Sequence, residues 1–99
     1  MFCRFSAAPF IYLDGQVHDA DRIDFLARYL TCLGRAMESG ADIRGYFHWA
    51  LTDNFEWNNG YAERFGLVYM DYPTGRRIPK DSFRWYREMI RSGSIPAAL

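Results

Sequence analysis

Six consecutive residues, Tyr46-Phe47-His48-Trp49-Ala50-Leu51, set the tightest constraint on this chain. With Ile43 ahead of them they read as a strand over 43–51 whose side chains do not alternate cleanly between apolar and polar. Successive side chains of a strand point to opposite faces, so a strand of this composition needs cover on both, as in parallel sheets flanked by helices. Helical patterns stand on either side of it. Over Asp19–Ser39, the residues Ile23, Leu26, Leu30, Leu33 and Met37 recur at spacings of three and four and form one apolar stripe. Asp19 is the expected N-cap, Asp21 falls in the first turn and Gly40 supplies the stop. The second helix is expected to open at Pro79, where a missing N–H costs nothing. Phe83, Tyr86 and Ile90 form its stripe, flanked by Trp85 and Met89, and Gly93 and Pro96 end it.

The connecting segments are a polar-aromatic loop over 52–64 with Asn58-Asn59-Gly60, a second short apolar run Phe65–Met70, and a turn over 71–75 around Pro73. Before the first helix, residues 1–17 lack a period, and Pro9 and Asp14-Gly15 mark a loop. The order loop, helix, strand, loop, short strand, helix indicates βα units. One helix–strand–helix run cannot bury a parallel strand on both faces. The expected architecture is therefore an α/β piece that lacks part of its cover. It divides into an irregular N-terminal segment 1–18, a packed portion 19–91 and a flexible tail 92–99.

Composition excludes several function classes. Ninety-nine residues allow one small domain at most, and 49% apolar with 18% aromatic residues exclude a disordered chain. Lys and Arg together number 12, as do Asp and Glu, so the formal charge is zero. That balance argues against a nucleic-acid partner, whose affinity rests on phosphate neutralisation, and equally against an anionic membrane surface. No apolar stretch is long enough to span a membrane. The start of the chain, with Arg4 as its one basic residue and Ser6, Pro9 and Asp14 interrupting it, is a poor signal peptide. Cys3 and Cys32 form no Cys-x-x-Cys pair, so neither a zinc site nor a redox pair is signalled. Cys32 is expected as a small buried hydrophobe, and a reducing, cytoplasmic setting fits best.

In parallel α/β folds, ligands bind beyond the carboxyl ends of the strands. The loop after Leu51 occupies that place and carries Asp53, Asn54, Glu56, Trp57, Asn58 and Asn59, with Trp49 near the strand end. That set suits a sugar. An indole face receives the C–H face of a pyranose, an ionised carboxylate accepts from two adjacent hydroxyls, and an indole N–H donates to a third. A plainer reading stands beside it: the aromatic residues belong to a core and Asp53-Asn54 caps a turn. His48 reads as a satisfied core residue with no second His near it, His18 as a neighbour of the Asp19 cap, and Glu63 and Glu88 as solvated charges. No cofactor and no metal are implied.

The stretch Gly45-Tyr46-Phe47-His48-Trp49-Ala50-Leu51-Thr52-Asp53-Asn54-Phe55-Glu56-Trp57 resembles the late barrel strand and following loop of glycoside hydrolase family 1, the β-glucosidases and their relatives. The likeness continues through Gly60-Tyr61, Arg64-Phe65-Gly66-Leu67-Val68-Tyr69, Asp71-Tyr72, Arg77-Ile78-Pro79-Lys80-Asp81-Ser82 and Trp85-Tyr86. Upstream, Val17-His18-Asp19 with Arg22-Ile23 resembles the start of the preceding family helix. The resemblance covers about residues 14–91. It implies that the chain is the C-terminal part, the last helix–strand–helix units, of a (β/α)₈ barrel that is incomplete here, and that the chemistry is retaining hydrolysis of a β-glycoside. By the same resemblance, Trp49 would stack on the nonreducing sugar. Glu56 would accept from its O4 and O6 hydroxyls, Trp57 would donate to O3, and Phe65 would line the pocket. Lys80 and Arg77 match family positions with no chemical role, and surface or loop anchoring is the expectation for both.

Retaining hydrolysis needs two carboxylates about 5–5.5 Å apart, a nucleophile and an acid/base. In the family the nucleophile lies in a Thr-Glu-Asn-Gly motif just before the segment that Cys3-Arg4-Phe5-Ser6 resembles, and the acid/base lies in an Asn-Glu-Pro motif far upstream. Neither motif is present, and no Glu occurs before Glu38. The resemblance therefore implies no catalytic residue in this chain, which is expected to be inactive alone and to require the N-terminal part of the barrel as partner. Two alternatives stay open: a non-catalytic carbohydrate-binding or accessory module, and a non-functional truncated translation product.

Overall fold

A computed structural model describes residues 10–55, 57–61 and 63–96. Helix α1 spans Ala20–Glu38. Its expected stripe is buried at the N-terminal end, at Ile23 and Leu26, but Leu30 and Leu33 are half-buried and Met37 is exposed. Asp19 occupies the N-cap position as expected, yet its side chain makes no capping bond to α1. It reaches across to the next helix instead. There its Oδ1 accepts from the backbone N–H of Ser82 at 2.8 Å and its Oδ2 from the Ser82 hydroxyl. At the other end Gly40, with φ +104°, donates its N–H to the Met37 carbonyl and stops the helix. Cys32 lies off the stripe and is exposed, against the expectation of a buried thiol, and Cys3 lies outside the described residues.

The strand expected over 43–51 is the main departure. Residues 43–48 carry no strand ladder, and pairing begins only at the carboxyl end. There Ala50 donates to the Phe65 carbonyl (3.3 Å), Leu67 to Ala50 (3.0 Å), Val68 to Leu51 (2.8 Å) and Asp53 to Val68 (3.0 Å), with a parallel bridge between Thr52 and Val68. A parallel strand is defined by neighbours on its edges, and the one neighbour among the described residues, 65–68, reaches only the end of the segment. The two-faced apolar pattern is nonetheless expressed. Even-numbered residues turn to the helices: the Tyr46 ring lies 6.0 Å from Tyr29 and 6.4 Å from Tyr86, and the His48 ring 6.0 Å from Tyr86. Odd-numbered Phe47, Trp49 and Leu51 face away and are exposed.

Strands β1 (Val68–Asp71) and β2 (Arg76–Pro79) form an antiparallel hairpin with Val68 opposite Pro79 and Asp71 opposite Arg76. The expected turn around Pro73 closes it, with Gly75 at φ +73° donating to the Asp71 carbonyl. This hairpin is the one sheet among the described residues. β2 escapes a periodicity reading because it is four residues long and buries only Ile78. Pro79 ends β2 rather than opening a helix, at an edge where its missing N–H is harmless. Helix α2 spans Asp81–Ser92, with Lys80 in the N-cap position and Gly93 left-handed at its end. Its buried anchor is Trp85, while Ile90 of the expected stripe is exposed.

The core is Ile23, Leu26, Leu67 and Trp85, with Phe25, Ala27, Leu30, Phe83, Tyr86 and Met89 packed round it. Val17 is fully buried and bridges to Lys80. Of the tail, residues 97–99 lie outside the described residues. No helix among the described residues is long and apolar enough to cross a membrane.

Candidate functional site

The loop that carries the sugar-type residues begins at Asp53, and Asp53 is 3% exposed. Its Oδ1 accepts from the Lys80 ammonium at 2.9 Å and from the Gly66 N–H at 3.0 Å. Its Oδ2 accepts from Arg64 at 3.0 Å and from the Met70 N–H at 3.3 Å. A carboxylate offers about four lone-pair sites, so this one is filled by protein donors. The plainer reading of Asp53, a structural residue at a turn, describes it better than a sugar ligand does.

Lys80 corrects an expectation outright. Read as a surface or loop anchor, it has no exposed surface. Its ammonium donates to Asp53 Oδ1, to the Arg64 carbonyl (3.2 Å) and to the Gly66 carbonyl (2.6 Å), which uses all three of its protons. Burial pulls its pKa below the ordinary lysine value, and the neighbouring Asp53 carboxylate opposes that shift. Arg77, by contrast, is exposed. Arg22 is also buried, and its guanidinium donates to the Phe65 carbonyl at 2.8 Å and the Arg64 carbonyl at 3.0 Å. Burial lowers its pKa as well, against the pull of Asp19 and Asp53. Two buried cations from the two helical ends thus grip the main chain of residues 64–66 from below. The sequence held no signal for this, because an isolated Lys or Arg beside an apolar stripe reads as a solvated charge.

Arg64 supplies the rim. Its side chain is 18% exposed, and its guanidinium also donates to the Met70 carbonyl at 2.7 Å. It lies 4.1 Å from the centroid of the Tyr69 ring and 4.7 Å from that of Tyr72. The Tyr72 hydroxyl donates to the Asn54 carbonyl (3.4 Å), its ring meets Tyr61 edge-on at 4.7 Å, and Tyr61 meets Phe55 at 5.4 Å.

His48 sits beneath the strand end with its ring hydrogen-bonded, as expected, but it is half-buried rather than a core residue. Burial, reinforced by the nearby charges of Arg22 and Lys80, pushes its pKa down to about 4. It is therefore neutral at pH 7, and its Nε2–H donates to the Phe65 carbonyl at 3.2 Å. The unfolded imidazole takes up its proton near pH 6.5, where the folded one does not, so stability is complete above about pH 6.5 and falls as the pH drops towards 4. The loss at pH 5 is about 2 kcal/mol at most, reduced by the partial exposure of the ring. His48→Gln keeps an N–H donor and does not titrate, so the difference in urea midpoint between pH 7 and pH 5 should shrink in that variant. An unchanged difference would remove His48 from the acid response.

The four sequence-predicted site residues fall in different environments. Trp49 is 58% exposed at the end of the extended segment, and Trp57 is 81% exposed on a 3₁₀ turn at Trp57–Asn59. Trp57 adopts φ +47°, a left-handed conformation costing an L-residue about 1–2 kcal/mol. Phe65 is buried, and the bond from Ala50 N–H to its carbonyl sets it beside the end of the Trp49 segment. Glu56 lies outside the described residues.

The model of glycosyl hydrolase family 1 matches residues 9–94 of this chain. The chain belongs to that family. It is 58% identical over 78 residues to a bifunctional beta-D-glucosidase/beta-D-fucosidase of Bifidobacterium breve, which covers 79% of this chain and 17% of that protein. It is 46% identical over 82 residues to beta-glucosidase A of Thermotoga maritima, covering 83% and 18% respectively. Among solved structures, the family 1 β-glucosidase from Thermotoga maritima matches with a TM-score of 0.86 at 43% identity, over 89% of this chain and 20% of that one. A structure of the Thermotoga enzyme in complex with deoxynojirimycin matches to the same extent. The chain thus spans about a fifth of the length of the family 1 proteins it matches, as an α/β piece without a closed barrel.

Proposed function

We propose that this chain forms the last helix–strand–helix part of the (β/α)₈ barrel of a retaining β-glucosidase-type hydrolase, and that it supplies one wall of the pocket for the nonreducing sugar. In this reading Trp49 is the stacking platform, Glu56 accepts from two adjacent hydroxyls, Trp57 donates from its indole N–H, and Phe65 backs the pocket from within. The observation that carries it is the pair of exposed indoles, Trp49 and Trp57, at the carboxyl end of a family 1 strand segment. Large exposed aromatic residues beside a loop rich in carboxamide and carboxylate groups suit the C–H face and hydroxyl rim of a pyranose. The left-handed Trp57 supports it, since backbone strain of this kind collects at ligand sites.

The chain holds the sugar and does not cut it. Cleavage with retention requires two carboxylates about 5–5.5 Å apart. Asp53, the nearest carboxylate in sequence to Glu56, spends all its acceptor capacity on Lys80, Arg64 and two backbone N–H groups. The purified chain should leave an aryl β-glucoside intact. Turnover that a Glu56→Gln substitution abolishes would overturn the inactive reading and return Glu56 to a catalytic role. The same exposed indoles also suit a second reading, a carbohydrate-binding module without chemistry, which sugar binding by the monomer as tight as that of a complete family 1 barrel would favour.

A further inference from the structure

We propose that Arg64 is a positioning residue that clasps both ends of the loop carrying Trp57 and so sets its sugar affinity without touching the sugar; this rests on the glycone-pocket reading above. One face of the clasp is fixed. The Arg64 guanidinium is tied to the buried Asp53 carboxylate (3.0 Å) and the Met70 carbonyl (2.7 Å), and its own carbonyl is held by Lys80 and Arg22. The other face is aromatic. Arg64 lies against both Tyr69 and Tyr72, and a planar, delocalised cation stacked on such faces is held in orientation as well as position.

Tyr72 carries the hold to the loop. Its hydroxyl donates to the Asn54 carbonyl at the loop's entry. Its ring meets Tyr61 near the loop's exit, and Tyr61 in turn meets Phe55 back at the entry. The strained Trp57 lies between these two anchored points. Exposed residues such as Phe55, Trp57 and Tyr61 would otherwise sit at the low-stability end of the molecule. Preorganising it by a clasp lowers the ordering cost that sugar binding would incur. Lysine at position 64 cannot replace arginine, because a single ammonium on a flexible stem has neither the fork nor the plane.

The test labels the full chain with 5-fluorotryptophan and follows the ¹⁹F signals of Trp49, Trp57 and Trp85. Arg64→Met leaves Lys80 paired with Asp53, so the fold should survive and the signal of buried Trp85 should stay in place. The Trp57 signal should move to the position of the free amino acid, and amide exchange in the loop should quicken at least tenfold. Tyr72→Leu, which cuts the clasp on its outer side and leaves Arg64 and its ion pair intact, should do the same. It also decides the matter if Arg64→Met fails to fold. Titration with methyl β-D-glucopyranoside should show about tenfold weaker binding in both variants than in the parent chain. An unmoved Trp57 signal, or Trp57 and Trp85 moving together in both variants, overturns the clasp. Absence of any sugar-dependent shift in the parent chain overturns the glycone reading, while the loop comparison still decides the role of Arg64.

Discussion

Asp53→Ala should destabilise the chain by about 3–5 kcal/mol, the range for removing one partner of a buried ion pair. A domain whose whole stability is about 5–15 kcal/mol has little left after such a loss. The cost is not the strength of the lost attraction. It comes from what stays behind: a Lys80 ammonium with no exposed surface, and the N–H groups of Gly66 and Met70 without an acceptor. Lys80→Met should cost less than half as much, because the Asp53 carboxylate would keep Arg64 and both backbone donors. The double substitution should then cost well below the sum of the two losses, since an apolar side chain no longer needs the carboxylate. Urea unfolding followed by fluorescence, read as a double-mutant cycle, measures this coupling. If the two single losses add to within about 0.5 kcal/mol, the buried pair is not the unit described here.

The same pair explains where the sequence was legible and where it was not. Both helices could be read because an amphipathic stripe and a terminal glycine are local signals, and α1 and α2 end where Gly40 and Gly93 say they should. The family membership was legible too, because Trp49 through Trp57 is a dense and unusual run. The strand at 43–51 was legible only as a demand for cover, which one helical layer meets on the Tyr46 and His48 side. What stayed hidden depends on contacts made across long stretches of chain. Asp19 looks like a cap for its own helix and instead caps α2, 63 positions away. Lys80 looks solvated and instead closes the space beneath Asp53, 27 positions away. Charge identity gives no hint of either, since burial is decided by which backbone carbonyls happen to converge. Arg64 was noticed only as part of a motif, and its role needed the two tyrosine rings in place.

Gly66→Ala should be the most damaging single methyl in the chain, and the reason is space rather than backbone freedom. A Cβ at Gly66 would lie closer than the 3.0 Å that real Cβ atoms keep, against the Thr52 carbonyl carbon and Cα and the Asp53 nitrogen. All three are backbone atoms, so no side chain can swing aside to admit the methyl. The two paired segments must separate, and the separation acts on the bonds from Leu67 to Ala50, from Val68 to Leu51 and from Asp53 to Val68. Each is worth about 1 kcal/mol. Gly66 also donates to Asp53 and accepts from Lys80, so the movement stretches the ion pair as well. A loss at or above the top of the usual 1–3 kcal/mol range for overpacking is expected. Gly34→Ala is the control: it lies in α1 with nothing within 4 Å of the added carbon, and should stabilise by about 0.5–1 kcal/mol through helix propensity. The two substitutions add the same atom and should move the thermal midpoint in opposite directions. A Gly66→Ala protein melting alongside its parent would mean that residues 50–53 and 65–68 do not approach as closely as described, and the platform under Trp49 would need to be drawn again.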